Sequence, residues 1–199
     1  IKGTSKVGKE LDSLTDMISF GVAPAFIMYF WKLNTLGRFG WLLCLVFVIC
    51  VALRLARFNI NSNQEPSWKD NFFEGVPSPA GGILVLTPLI ISLSGFDFFQ
   101  FNYDIIVPIF FVTTSFLLIS KFPSYSFKKI VIRRRTTIFL LFGIVLFFGL
   151  LLIYTFNVIA ISAIIYLLLL PISYVHYQKI KNKHEKDKIQ DEDDLEDVL

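Results

Sequence analysis

The stretch WLLCLVFVICVALRLARF, residues 41–58, indicates most directly what kind of protein this is. It is almost entirely apolar over nearly the length that a helix needs to cross a bilayer, and its charged residues are two arginines near its end. Hydrophobic residues make up 54% of the 199 residues, more than a water-soluble chain this short can enclose in one core. The sequence therefore predicts an all-α integral membrane protein, a bundle of transmembrane helices.

Six apolar stretches are predicted to span the membrane, each close to the roughly 20 residues that a crossing requires. They lie at about 12–31, 40–58, 77–95, 104–122, 136–155 and 157–175. A short turn near Asn157 separates the last two, so we expect these to form an antiparallel hairpin. Residues 1–175 are thus predicted to form one membrane domain, and the highly charged residues 176–199 a cytoplasmic tail.

The distribution of Lys and Arg among the loops predicts how the helices are oriented. The loop at 121–135 holds six basic residues and the segment at 179–188 five lysines, whereas the loop at 96–104 holds none. With six spans, both basic segments lie on the cytoplasmic side, together with residues 1–11 and the loop at 59–76. This segregation of charge is typical of a multi-pass protein of the cytoplasmic membrane and not of a protein that binds nucleic acid.

Two carboxylates stand at the start of the first span, in GKELDSLTD, residues 8–16. Gly8, Asp12 and Asp16 are four residues apart, so on a helix they share one face. Two such carboxylates repel each other, and desolvation near the membrane adds to that cost, unless a divalent cation lies between them. Acids that interact favourably with the start of a helix are the alternative, and the spacing alone does not decide between them.

Arg54 and Arg57 also share a helix face, in the last turns of the second predicted span. Anchoring of the helix at the membrane surface explains Arg57 easily, whereas Arg54 lies a turn deeper. Guanidinium groups bind phosphate oxygens in a bidentate manner, so the pair is a candidate phosphate site. The third predicted span opens with PSPAGG, in which Ser78 offers a hydroxyl and the small residues permit close helix packing.

These motifs together resemble a known family. GKELDSLTD fits G-x-x-x-D-x-x-x-D, the second half of the signature of the CDP-alcohol phosphotransferase family. The first half, D-x-x-D-G-x-x-A-R, is expected immediately upstream of Ile1, so we expect this chain to be N-terminally truncated. Within the family, DSLTDMISFGVAP, ALRLARFN and GVPSPA are similar to the bacterial members that use L-serine as the acceptor.

The resemblance implies an enzyme of phospholipid biosynthesis that transfers the phosphatidyl group of CDP-diacylglycerol to L-serine. It implies a divalent metal, Mg²⁺ or Mn²⁺, held by Asp12 and Asp16, with Asp16 also the candidate general base. Gly8 would leave room for the nucleotide. Arg54 and Arg57 would hold phosphate or the serine carboxylate, with Ser78 and Asn59 at the polar end of the pocket. Family members also suggest a homodimer embedded in membrane lipid.

Two other functions remain open from the sequence. A related enzyme of the family would use glycerol phosphate or inositol phosphate as the acceptor, although the ALRLARFN and PSPA blocks argue against it. A membrane transporter with a carboxylate pair is a more remote alternative. Transporters usually show inverted repeats and helices interrupted at mid-membrane depth, and the sequence shows neither.

Overall fold

The computed structural model describes residues 6–61, 72–95, 102–120, 123–125 and 134–196. Within these ranges its α-helices are α1 (Lys6–Met17), α2 (Ala23–Trp31), α3 (Arg38–Asn61), α4 (Ser78–Leu93), α5 (Tyr103–Ile119), α6 (Arg134–Ile153) and α7 (Thr155–Glu196). Two short strands are β1 (Phe72–Glu74) and β2 (Pro123–Tyr125). Residues 1–5 and most of the loops predicted at 59–76, 96–104 and 121–135 lie outside the described residues.

The helical prediction is confirmed. In the described part of the chain, three helical stretches are long and apolar enough to cross a membrane: Val7–Trp31, Arg38–Ile60 and Thr155–Tyr174. Three shorter apolar helices, Ser78–Leu93, Tyr103–Ile119 and Thr137–Ile153, coincide with the other predicted spans. The side chains of α6 from Thr137 to Leu150 are all exposed, which suits an apolar surface in contact with lipid.

The first long stretch is a single helix with a widened turn near its middle. α1 continues into a π-helical segment, Ile18–Val22, which we call the π turn, and this runs directly into α2. The backbone N–H of Ala23 donates to the carbonyl of Ile18, five residues earlier. Pro24 follows and has no N–H to donate, so the ordinary helical pattern is interrupted at this point in any case.

The helices pack in two clusters. In the first, α2, α3 and α5 bury Met28, Phe47 and Phe111, and the rings of Phe47 and Phe111 meet edge to face at 5.5 Å. In the second, α4 and α7 pack together through Leu84 and Ala163. Because helices in lipid gain little from the hydrophobic effect, close van der Waals packing of this kind holds them together.

The contacts define two ends of the bundle. At one end, Lys32 forms a salt bridge of 3.0 Å with Asp104, and the ring of Trp31 packs on Tyr103. At the other end, β1 and β2 pair antiparallel with Phe72 opposite Tyr125, so the chain segments that follow α3 and α5 meet there. The sequence did not predict this small ribbon.

Two expectations about the last helices need correction. The chain bends at Tyr154 and not near Asn157, which lies within α7. Helical hydrogen bonds continue on both sides of this single bend residue, from the Tyr154 N–H to the Leu150 carbonyl and from the Val158 N–H to the Tyr154 carbonyl. The exposed side chains of α6 show no face packed along α7, as a closed hairpin would require. α7 also continues past residue 176 to Glu196, through a highly charged stretch whose five lysines are good helix formers. The domain boundary near 175 stays a prediction.

Candidate active site

The carboxylate face of α1 has the predicted geometry. Gly8, Asp12 and Asp16 fall within one α-helix, so they follow each other at one-turn intervals. Asp12 is exposed and Asp16 half-buried, and neither accepts a hydrogen bond or forms an ion pair within 4 Å from the described residues. Gly8 is exposed and leaves the next turn of this face without a side chain. Both carboxylates thus present free oxygen lone pairs on one face.

This donor set fits a hard divalent cation. Mg²⁺ is commonly held in proteins by one or two carboxylates, with waters and substrate phosphates as its other ligands. Within the part of the chain that the structure describes, no three His, Cys, Asp or Glu side chains come together, so Asp12 and Asp16 are the two ligands that these residues would supply.

The position of Asp16 is fixed by the π turn that follows it. Gly21, within this turn, packs on α3, where an added Cβ would lie 3.3 Å from the Val51 side chain. Gly82 of α4 approaches the other side, and an added Cβ there would lie 3.1 Å from the carbonyl oxygen of Phe20. These close approaches hold α1 against both neighbouring helices. π-helical turns of this type are frequent at functional sites.

A chain of hydrogen bonds, which we call the clasp, joins α1 to the end of α3. The Asn59 side-chain amide donates to Ser13 Oγ at 2.8 Å, and Ser13 Oγ donates to the carbonyl of Lys9 at 3.1 Å. The Lys9 ammonium in turn donates to the carbonyl of Asn59 at 3.2 Å. Asn59, predicted to contact substrate, therefore also positions the carboxylate helix. Ser13 and Lys9, which the sequence interpretation passed over, lie between the motif residues themselves.

Arg54 lies where α1, α3, α4 and α7 meet. Its Nη1 donates to the hydroxyl of fully buried Ser78 at 2.9 Å, and Tyr166 and Asp16 lie near enough to influence the charge of the guanidinium. Its Nε is buried and has no hydrogen-bond partner among the described residues. A buried donor left unpaired costs roughly 1–3 kcal/mol, so this nitrogen is well placed to receive an acceptor from a ligand.

The start of α4 is built to bring Ser78 to Arg54. Gly75 adopts a positive φ of 77°, and an added Cβ there would lie 2.8 Å from the carbonyl oxygen of Ser120. Pro77 is extended and ends the loop, and the N–H of Gly81 returns to its carbonyl at 2.9 Å as the first turn of α4 forms. The predicted rigid entry to this helix therefore serves to place the Ser78 hydroxyl.

Arg57 points elsewhere. Its Nη1 donates to the carbonyl oxygen of Ile119 at 2.6 Å, at the end of α5, and the rest of its side chain is exposed. The structure therefore brings together Asp16, Arg54 and Ser78, and it separates Arg57 from them. Tyr166 joins the group from α7, and nothing in its uniform apolar surroundings, IIYLLLL, marks it in the sequence.

Comparisons of the sequence with known proteins point to one family. The family model described as CDP-alcohol phosphatidyltransferase matches residues 1–182. The CDP-diacylglycerol–serine O-phosphatidyltransferase of Mycobacterium leprae is 40% identical over 121 residues, covering 60% of this chain and 40% of that protein. Proteins of the same name from Helicobacter pylori and Bacillus subtilis are 39% and 36% identical over 127 and 129 residues, covering 64% and 65% of this chain. The chain spans 52% and 64% of their respective lengths.

Proposed function

Since this chain belongs to the CDP-alcohol phosphatidyltransferase family, we propose that the protein transfers the phosphatidyl group of CDP-diacylglycerol to L-serine, giving phosphatidylserine and CMP. The names of its relatives suggest this reaction. The observation that carries it is the position of Arg54, which joins the buried Ser78 hydroxyl and interacts with the Asp16 carboxylate while its Nε is unpaired in the described chain. That arrangement suits a phosphate group next to a carboxylate.

Asp12 and Asp16 would hold the divalent metal, Mg²⁺ or Mn²⁺. When bound, such an ion offsets the charge of the diphosphate and of the departing CMP. The free oxygen lone pairs of both carboxylates support this assignment, as does the exposure of Asp12 at the rim. Exposed Gly8, one turn before Asp12, would leave space for the nucleotide.

Asp16 is proposed as the general base. It accepts the proton of the serine hydroxyl, and the serine oxygen then forms a bond to the β-phosphorus of CDP-diacylglycerol. The bond from that phosphorus to the bridging oxygen breaks, CMP leaves with this oxygen, and the proton passes from Asp16 to solvent. A half-buried carboxylate fits this role better than exposed Asp12, because its surroundings hold it in one place.

The remaining predicted residues would bind and orient the substrates. Arg54 would donate to a phosphate oxygen through Nε, while its bond to Ser78 fixes the direction of the guanidinium. Asn59 would act mainly by holding α1 in position through the clasp. Binding of phosphate or of the serine carboxylate by Arg57 stays a prediction; its side chain is exposed, and its Nη1 bonds to the Ile119 carbonyl.

We further propose a multi-pass protein of the cytoplasmic membrane whose site faces the cytoplasm, acting as a homodimer. Ser13, Arg54, Ser78 and Ile119 all lie at the end of the bundle opposite the Lys32–Asp104 pair. The strongly basic segment at 121–135 follows the same end in sequence, and basic loops favour the cytoplasmic side. The homodimer rests on the family resemblance alone.

The test is an acceptor comparison with the full natural protein in detergent. CDP-diacylglycerol and Mg²⁺ or Mn²⁺ are supplied with labelled serine, glycerol phosphate, inositol phosphate or no acceptor, and CMP and labelled lipid are measured. The proposal expects CMP and labelled lipid with serine only. Labelled lipid formed faster with glycerol phosphate or inositol phosphate would assign the protein to that activity instead, and solute flux in vesicles without CMP would indicate a transporter.

A further inference from the structure

The face between α3 and α5 carries a groove that the proposed reaction does not use. It has a volume of about 360 Å³ and is lined by Leu43, Val46, Cys50, Val112, Ser115, Phe116, Ile119 and Ser120. Its polar side chains are few, namely Cys50, Ser115 and Ser120, and Ser120 Oγ donates to the carbonyl of Leu117 at 3.0 Å. The wall is therefore apolar in character and suits a hydrocarbon chain.

A single cation stands at the end of this groove in the described part of the chain. Leu43, Cys50 and Arg57 are seven residues apart on α3, about two helical turns, so Arg57 continues the stripe that lines the groove. The stripe is about 21 Å long at 1.5 Å per residue, which approaches the depth of one leaflet with its headgroup region. Arg57 also touches the groove wall directly, through its bond to the Ile119 carbonyl.

The guanidinium of Arg57 can accept an anionic partner. Its side chain is exposed, and no carboxylate of the described residues pairs with it. One nitrogen is used by Ile119, so the outward N–H groups of the fork remain. A phosphate group matches them in charge and geometry.

The groove faces away from the carboxylate helix. Asn59, which joins α1 through Ser13, lies two residues after Arg57, and two residues of α-helix turn by about 200°. At this level of α3, the bond to α1 through Asn59 and the bond to the groove wall through Arg57 therefore lie on nearly opposite sides of the helix. A lipid seated in the groove would have its phosphate at Arg57 and not at Asp12 or Asp16.

We propose that this groove binds one acyl chain of an anionic bilayer phospholipid, with the lipid phosphate held by Arg57. The apolar wall gives the site its affinity for the chain, and the unpaired positive charge at its end selects a headgroup with net negative charge over a zwitterionic one. The proposal does not depend on the reaction assigned to the protein, because neither substrate is required to fill the groove.

The test uses native mass spectrometry of the full natural protein, titrated with phosphatidylglycerol or phosphatidylcholine in detergent. Wild-type protein should bind phosphatidylglycerol about tenfold more tightly, the scale of one charge-assisted hydrogen bond. Arg57→Gln should remove this preference, and Val112→Trp, which fills the groove, should weaken the binding of both lipids about tenfold. Arg38→Gln, at the other end of α3, and Val145→Trp, on exposed α6, are the matched controls and should behave as wild type.

Three results would overturn the proposal. One is equal affinity of the wild-type protein for the two lipids. Another is an unchanged preference for phosphatidylglycerol in Arg57→Gln. This variant changes an exposed side chain, so it remains informative even when Val112→Trp does not fold. The third is displacement of phosphatidylglycerol by CDP-diacylglycerol at one-to-one stoichiometry, with loss of CDP-diacylglycerol binding in Val112→Trp. That result would make the groove part of the substrate site.

Discussion

Replacement of Arg54 by alanine should impair the use of CDP-diacylglycerol more than the use of serine. In the structure Nη1 is occupied by Ser78, so Nε and the outer nitrogen are the donors left for a phosphate. Charge-assisted hydrogen bonds contribute roughly 1.5–3 kcal/mol each, and the variant also relieves the cost of the unpaired Nε. We therefore expect a net loss of about 3 kcal/mol, which corresponds to roughly 150-fold in kcat/KM for CDP-diacylglycerol.

The assay is CMP release by the full natural protein, with each substrate varied in turn at saturating levels of the other. The KM for serine should change less than about fivefold, because in the proposed arrangement Asp16 receives the serine proton and Arg54 holds the phosphate. Arg38→Ala is the matched control, since Arg38 is an exposed arginine at the far end of the same helix. Both proteins are first compared by thermal unfolding, so that a loss of folded protein is not counted as a loss of binding.

Two outcomes would refute this reasoning. A kcat/KM for CDP-diacylglycerol within about threefold of wild type would mean that Arg54 does not hold the diphosphate, since even one charge-assisted bond is worth more. A larger increase in the KM for serine than for CDP-diacylglycerol would assign Arg54 to the serine carboxylate. The contact with Ser78 would then be a feature of the acceptor pocket.

Three further changes test other parts of the site. Asp16→Asn should lower turnover by at least about 1000-fold, since it removes both a metal ligand and a base, and it should leave membrane insertion unchanged. CMP release measures the turnover and membrane fractionation measures the insertion. Retained turnover would exclude Asp16 as the base. Ser13→Ala removes the acceptor for the Asn59 amide and should cost about 1 kcal/mol, seen as a lower midpoint of thermal unfolding in detergent; an unchanged midpoint would show that the clasp adds no stability. Gly82→Val should lower the free energy of unfolding by about 1–3 kcal/mol, because the new side chain would meet a backbone carbonyl of the π turn. The yield of monodisperse protein should therefore fall. Gly143→Val, at a position with no neighbouring atoms, is the control and should match wild type, and equal yields for the two variants would contradict the packing argument.

The helices and the carboxylate face were predictable because the signals are local. A run of apolar residues specifies a membrane helix, and a spacing of four specifies a shared face, so Asp12 and Asp16 could be placed without tertiary information. The sequence also predicted that Arg54 and Ser78 lie at the same side of the membrane, because consecutive spans run in opposite directions and the end of one lies beside the start of the next. The chemical roles of these residues stay predictions.

Other features depend on contacts that local patterns do not contain. Arg54 and Arg57 share a helix face, with about 60° and one turn between them, yet Arg54 bonds to Ser78 and Arg57 to Ile119, and which neighbouring helix each arginine reaches depends on the tertiary packing. Tyr166 reaches the site because α7 packs on α4, a pairing between segments far apart in the chain. The bend at Tyr154 could not be predicted either, because the bend residue is neither Gly nor Pro.

The π turn determines how the first long helix would respond to the loss of one residue. A π turn accommodates one residue more than an α turn, so it offsets the angular phase of everything before it from everything after it by about 100°. The polar half that carries Asp16 and the apolar half that begins at Ala23 therefore present their faces to different neighbouring helices, although they form one continuous helical stretch. Loss of a single residue between Ile18 and Val22 would restore the regular pitch and leave both halves intact. It would turn the carboxylates away from Arg54 while the membrane anchor stayed in place.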